Sequence, residues 1–277
     1  MTSPIPILVY HRIDEQGLST STPPRQFRQH LLWLSRHGWR SLSVGEFEFY
    51  ASRGRDFPSK SFVLHFDDGY ESIASAALPV LQELNFQAVC FAATQLIRGA
   101  AGTGEPQTPG DDTFLSWEQI RALQSGGQIE FHSHTHAHKR SVQLAPQDLM
   151  HDLETSRDLL AAELALPRSH FTHLAWPWGE SDRDCSSVAR KCGFHYQYTV
   201  LRAAFRHASP LIQIPRTCYD GASYVDFQMQ LWLQCGPLSW PWHVMYPVAR
   251  KLRQPRAQLP AGRIAPAANK ATDRLPF

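Results

Sequence analysis

Short unbroken apolar runs alternate along the chain with stretches whose apolar residues recur every three or four positions. "IPILVY" (5–10) reads as a buried strand, and "FRQHLLWLSRHGW" (27–39) as a helix stopped at Gly38. "SFVLHF" predicts a second strand. Residues 72–84 predict a helix interrupted or kinked near Pro79, and "FQAVCFAAT" (86–94) a third strand rich in small and apolar residues. Then follow helix "SWEQIRALQ", strand "QIEFHS", a helix within 146–166, strand "FTHLAW", a helix around 185–191 and strand "FHYQYTV". Such an order describes successive βα units, and eight or so alternating elements predict a barrel-like α/β fold.

Composition adds limits to this picture. With 277 residues, 43% of them hydrophobic and 19% charged, the chain can bury the core of one large domain, assigned here to residues 1–252. Residues 253–277, a basic Pro/Ala-rich tail, have too little apolar content to pack and are expected to be disordered. Residues 97–113 are rich in Gly, Pro and Thr and read as a long exposed loop of the kind that borders active sites. Residues 227–249 carry no charge, yet Pro237, Pro241 and Pro247 interrupt them too often for a spanning helix, so they are core or a surface patch. The basic residues that follow, Arg250, Lys251 and Arg253, offer a way for this patch to contact an anionic membrane surface peripherally.

Net charge is +2, but residues 250–277 hold seven basic residues against one Asp, so the rest of the chain is net negative. The positive charge is local, and no nucleic-acid partner is expected. The start of the chain shows neither a secretory leader nor an anchor, which predicts a cytoplasmic protein. Five cysteines, an odd count without metal-ligand spacing, read as reduced structural thiols.

Two segments carry candidate chemistry. "FVLHFDDGYES" (62–72) places Asp67 and Asp68 side by side at the end of an apolar run, where two carboxylates repel unless a cation or a shared proton holds them. "EFHSHTHAHKR" (130–140) holds four histidines at alternate positions. His134 and His138 are four apart, so one turn can aim both at one ion. Two His and one Asp give three protein ligands and leave a position open, the pattern of a catalytic metal centre. If Asp68 binds the ion, Asp67 is free to act as a base. Both segments end predicted strands, and parallel α/β folds gather strand carboxyl ends at one face.

"FVLHFDDGY" resembles the TFDDG motif of the polysaccharide deacetylases (NodB homology, carbohydrate esterase family 4), and "HTHAH" matches their HTxxH motif in the same order. The resemblance runs from "IPILVYHRI" through "LAWPWGE" and to "IPRT" at Arg216. It implies a distorted (β/α)7 barrel with Asp67 as catalytic base and Asp68, His134 and His138 as ligands of a divalent ion, zinc first, with cobalt or nickel as alternatives. "LAWPWG" is similar to a family motif whose residue matching Trp178 offers a backbone N–H to the oxyanion, with aromatic rings lining the sugar groove; Trp176 and Trp178 replace the more usual tyrosines. The opening "VYHRI" resembles the circularly permuted poly-N-acetylglucosamine deacetylases, in which an early Tyr-His supplies the general acid, and this implies that role for His11.

Departures from the family pattern are specific. Ala175 stands where an Arg often orients the base, which leaves Arg216 as the candidate replacement. His132 stands where Gly is usual, and neither His207 nor His243 has the expected setting of a late general acid. His65 is read as structural. The implied activity is removal of N-acetyl groups from an amino-sugar polymer or glycolipid, with oligomeric state left open. The competing reading is a metal- and carbohydrate-binding protein of the same fold without catalysis. A phosphatase using an aspartyl nucleophile fits less well, because that chemistry usually separates its two acids by one residue.

Overall fold

Every residue of Ser61–Asp68 (β3) is buried, as a strand covered on both faces must be, and β3 lies in the interior of a parallel sheet. In the computed structural model, residues 4–99, 114–207 and 209–236 are described, together with Ser239, Pro241 and Met245. Most of the predicted 97–113 loop, the end of the charge-free segment and the proposed 253–277 tail lie outside the described residues.

The other strands are β1 (Ile7–Tyr10), β2 (Arg40–Ser41), β4 (Ala88–Ala92), β5 (Ile129–Ser133), β6 (His173–Ala175), β7 (Tyr196–Tyr198) and β8 (Thr217–Cys218). They form a sheet of order β7-β6-β5-β4-β3-β1-β8, with β2 paired to the start of β3 and all named pairs parallel. Residues 214–218 close the curl. Thr199 N–H donates to the Ile214 carbonyl and Leu201 N–H to the Arg216 carbonyl, both at 2.9 Å, and Thr217 and Cys218 then pair with Leu8 and Val9 of β1. The α-helices are α1 (Pro24–Arg36), α2 (Val44–Arg53), α3 (Leu78–Leu84), α4 (Trp117–Gly126), α5 (Pro146–Leu164), α6 (Arg183–Lys191) and α7 (Tyr224–Cys235). This is the parallel curled sheet and helical surround expected of a NodB-type (β/α)7 barrel.

Strand alternation divides the core. Outward residues such as Leu8, Leu64, Phe66, Cys90 and Phe131 pack under α1, α3 and α4, while Ile7, Val63, Val89, Phe91, Ala175 and Tyr198 point inward with Phe47 of α2 and Phe57. The interruption expected near Pro79 is a π-helical turn, Ile73–Ala77, leading into α3. Helix α2, not anticipated from the apolar spacing, begins at a capping box in which Ser43 and Glu46 satisfy each other's backbone N–H groups. In the part of the charge-free segment that α7 covers, Phe227 and Leu231 are core, whereas Met229 and Trp232 are exposed. No described helix is long and apolar enough to cross a membrane. All five cysteines are free.

Candidate active site

The carboxyl ends of β1, β3, β5 and β6 and the 216–220 segment meet at one mouth of the barrel. The backbone leaves β3 through Asp68 at φ 70° and Gly69 at φ 88°. A Cβ on Gly69 would stand 2.8 Å from Cδ1 of Ile97, so this turn needs glycine. Asp tolerates the left-handed region better than most residues, and strain of about 1–3 kcal/mol there is common at functional sites. The turn sends the two adjacent carboxylates to different partners.

Asp68 Oδ1 lies 3.3 Å from His134 Nε2 and 3.1 Å from His138 Nε2. His134 Nδ1–H donates to the Ala175 carbonyl at 2.8 Å, because a carbonyl can only accept. In the neutral ring, Nε2 therefore presents a lone pair toward a carboxylate oxygen that has no hydrogen-bond partner of its own. Three converging acceptors fit a divalent cation, and N and O ligands at about 2.0–2.1 Å in a tetrahedron stand about 3.3–3.4 Å apart. The Ala175 carbonyl is then the outer partner that fixes the tautomer. Burial works to raise the Asp68 pKa; when the imidazoles are protonated instead, hydrogen bonds and charge from His134 and His138 outweigh it and hold the carboxyl well below its usual range.

The loop that carries the imidazoles is tied down by a residue not singled out from the sequence. Asp152 of α5 accepts from the backbone N–H of His136 at 3.0 Å and of Ala137 at 2.9 Å. Thr135 and His138 adopt positive φ, which is how a spacing of four brings both rings to one oxygen without a helix.

Asp67 makes a different contact. Arg216, completely buried, donates Nη1 to Oδ1 at 2.7 Å and Nη2 to Oδ2 at 2.8 Å, a two-pronged ion pair that also fixes the carboxylate plane. The guanidinium lies over Phe91 and Tyr198, 5.4 and 5.8 Å from their ring centres. Burial pushes the Asp67 pKa up, and the Arg216 charge more than offsets this, so the group is held ionised. Arg216 thus arrives from the closing segment, not from Ala175 on β6.

His11, at the end of β1, is braced by Asp220: its backbone N–H donates to Oδ1 at 3.0 Å and its Nδ1–H to Oδ2 at 2.5 Å. Burial would lower the His11 pKa, but the Asp220 charge and hydrogen bond raise it well above the usual histidine value. Asp220 was not identified from sequence, although "YDG" after β8 repeats the signal seen after β3: an acid then Gly at a strand's carboxyl end.

Trp178 and Trp176 part company. Trp178, φ 55° in the Pro177–Gly179 turn, is half exposed; its ring centre is 4.7 Å from that of His138 and 4.9 Å below the Arg140 guanidinium carbon. A Cβ on Gly179 would lie 2.2 Å from the Val200 nitrogen, which keeps that turn pressed to the barrel. Trp176 corrects the expectation of two groove-lining rings: it is fully buried with Leu149, Leu153 and Leu174. His65 is buried edge-on to Phe91 and Tyr198, and burial drives its pKa well down, consistent with a structural, neutral ring. His207 stacks on Phe57, away from this mouth, and His243 lies outside the described residues.

The fold and this motif order define a class. The family described as "Polysaccharide deacetylase" matches residues 54–197, more than half of the chain, and the chain belongs to that family. It is 27% identical over 201 residues to poly-beta-1,6-N-acetyl-D-glucosamine N-deacetylase of Staphylococcus aureus, a match covering 71% of this chain and 67% of that protein. It is 26% identical over 195 residues to YxkH of Bacillus subtilis, covering 70% of this chain but only 64% of that relative. The fold is shared with Streptococcus pyogenes deacetylase PplD, solved in complex with acetate (TM-score 0.72, 20% identity, 83% of this chain and 99% of that one). IcaB from Ammonifex degensii has the same fold (TM-score 0.69, 21% identity, 84% and 98%).

Proposed function

We propose that this protein is a metal-dependent hydrolase that removes N-acetyl groups from an N-acetylated amino-sugar polymer, cleaving the amide to a free amine and acetate. The observation that carries the reading is the division of labour between the two aspartates. Asp68 Oδ1 shares one point with two imidazoles, while Asp67, whose Oδ2 is 4.0 Å from His134 Nε2, is gripped through both oxygens by Arg216. Asp68, His134 and His138 would hold the ion, with zinc first and cobalt or nickel as alternatives. When bound, it supplies Lewis acidity toward an amide carbonyl and acidifies water.

Asp67, ionised and aligned by Arg216, takes the proton of the attacking water. The backbone N–H of Trp178 donates to the developing oxyanion, and its exposed ring offers an apolar face to a sugar. His11, kept cationic by Asp220, delivers a proton to the departing amine. The relatives' names support a polymer of N-acetylglucosamine as substrate class. The non-catalytic alternative drew its strength from Ala175 and His132; a buried Arg216 on Asp67 weakens the first of these grounds.

The test is acetate release from N-acetylglucosamine oligomers by zinc-loaded protein. Turnover abolished by chelation and restored by zinc supports the reading; sugar binding without acetate release supports the non-catalytic alternative.

A further inference from the structure

A second set of donors lies on the inward face of β5 below His134, toward the amino end of the barrel. Glu130 and His132 are two apart on β5, so they share the inward face that His134 continues, and His170 comes from the short turn Arg168–His170 before β6. Nε2 of His132 and Nε2 of His170 each stand 3.2 Å from the same Glu130 oxygen, Oε1. The donor set and spacing reproduce those of Asp68 with His134 and His138, at 3.3 and 3.1 Å, and both match the separation a tetrahedral ion imposes, about 3.3–3.4 Å.

Hydrogen bonding accounts for only one arm of this arrangement, His132 Nε2 to Glu130 Oε1 at 3.2 Å. His170 Nε2 makes no hydrogen bond despite its closeness to the carboxylate, so its ring is aimed beside Oε1, at the space between the three donors. His132 is completely buried, with the His173 ring centre 4.8 Å away, whereas Glu130 and His170 are partly exposed and leave an entry path. Glu48 of α2, which accepts from His173 at 2.9 Å and Thr172 at 3.1 Å, adds a second carboxylate to the same surroundings.

We propose that Glu130, His132 and His170 form a second metal site for a zinc-class divalent cation, separate from the catalytic mouth and tying the 168–170 turn to β5. The site has two imidazoles and one carboxylate, a set suited to borderline ions rather than to calcium or magnesium. One difference ranks the two sites. His134 Nδ1 is held by the Ala175 carbonyl, but His132 Nδ1 has no partner. Such outer contacts change metal affinity about 10- to 100-fold, so the second site is the weaker by about that factor.

Metal counting under equilibrium dialysis against free zinc tests this on the full chain. Wild type should bind two ions in two affinity classes. His170→Gln, at a half-exposed position, should bind one, with the tighter class intact, and Glu130→Gln should do the same. One ion on wild type, or two on His170→Gln, overturns the proposal. The count does not depend on turnover, so a protein that binds two ions and releases no acetate would refute the proposed activity and leave this site standing.

Discussion

The inward face of β5 presents nearly the same donor set, two imidazoles and a carboxylate, at two levels in different company. At the carboxyl end, the His134/His138/Asp68 set has an ionised Asp67 clamped by Arg216 beside it and a cationic His11 braced by Asp220. Toward the amino end, the His132/His170/Glu130 set has His173, Glu48 and aromatic rings around it, and no comparable base-and-acid pair stands beside it among the described residues. On the proposed function, the contrast teaches that three ligands suffice to hold an ion, whereas hydrolysis also needs a base and an acid with opposed pKa shifts. It also accounts for which loops matter: the left-handed Asp68, Thr135 and His138 all sit at the catalytic end.

The comparison is broken most severely at Asp67. Asp67→Asn keeps the size and loses the base, and a fall in acetate release of about 100- to 10,000-fold is expected with zinc content unchanged. Equal loss of metal in this variant would instead make Asp67 a ligand, and the two aspartates would no longer differ in role.

Arg216→Met comes next. It strands a buried carboxylate, which costs about 3–5 kcal/mol when one partner of a buried pair is removed. In wild type, the lowered Asp67 pKa contributes stability that is present above the unfolded carboxylate value and lost as pH falls through the folded one. Without Arg216, burial raises that pKa, so the stability deficit is greatest near neutrality and shrinks on acidification. Denaturant melts at two pH values measure it; a pH-independent deficit would contradict the ion-pair account.

Asp220→Asn sharpens the acid half. A general acid must be protonated, and Asp220 is what raises the His11 pKa against burial, so wild-type activity should persist until pH rises through that raised value. In the variant the alkaline limb should move to lower pH, with the acid limb in place. A mere drop in amplitude without a shift would assign Asp220 a structural role. The smallest effect is expected at Trp178→Ala: loss of one stacking face, about 1 kcal/mol, read as a several-fold rise in KM with kcat less affected.

Much of the catalytic end was legible before the structure because its residues cluster in two short motifs. Asp67 and Asp68 end β3, and His134 and His138 lie just beyond β5, so the apolar runs of those two strands predict their positions. Arg216 could be only a candidate, since its partner is 149 positions away in sequence and the contact depends on how residues 214–218 close the barrel. Asp152 was missed because it acts through backbone N–H groups and forms no local pattern, and Asp220 because its Asp-Gly signal follows a strand too short to be read. The short strands β2 and β8, two residues each, leave no periodic signal, whereas α2, also unanticipated, has a local signal in its Ser43/Glu46 capping box. Trp176 was misjudged because a Trp-Pro-Trp sequence does not reveal which ring the turn exposes.

The most direct test compares zinc-loaded wild type and Asp67→Asn in one assay of acetate released per bound ion at the tight site. Wild type should turn over N-acetylglucosamine oligomers, and the variant, with its ion retained, should be reduced at least about 100-fold. Matching rates from the two proteins would contradict the assignment of Asp67 as the base, and with it the functional distinction drawn between the two levels of β5.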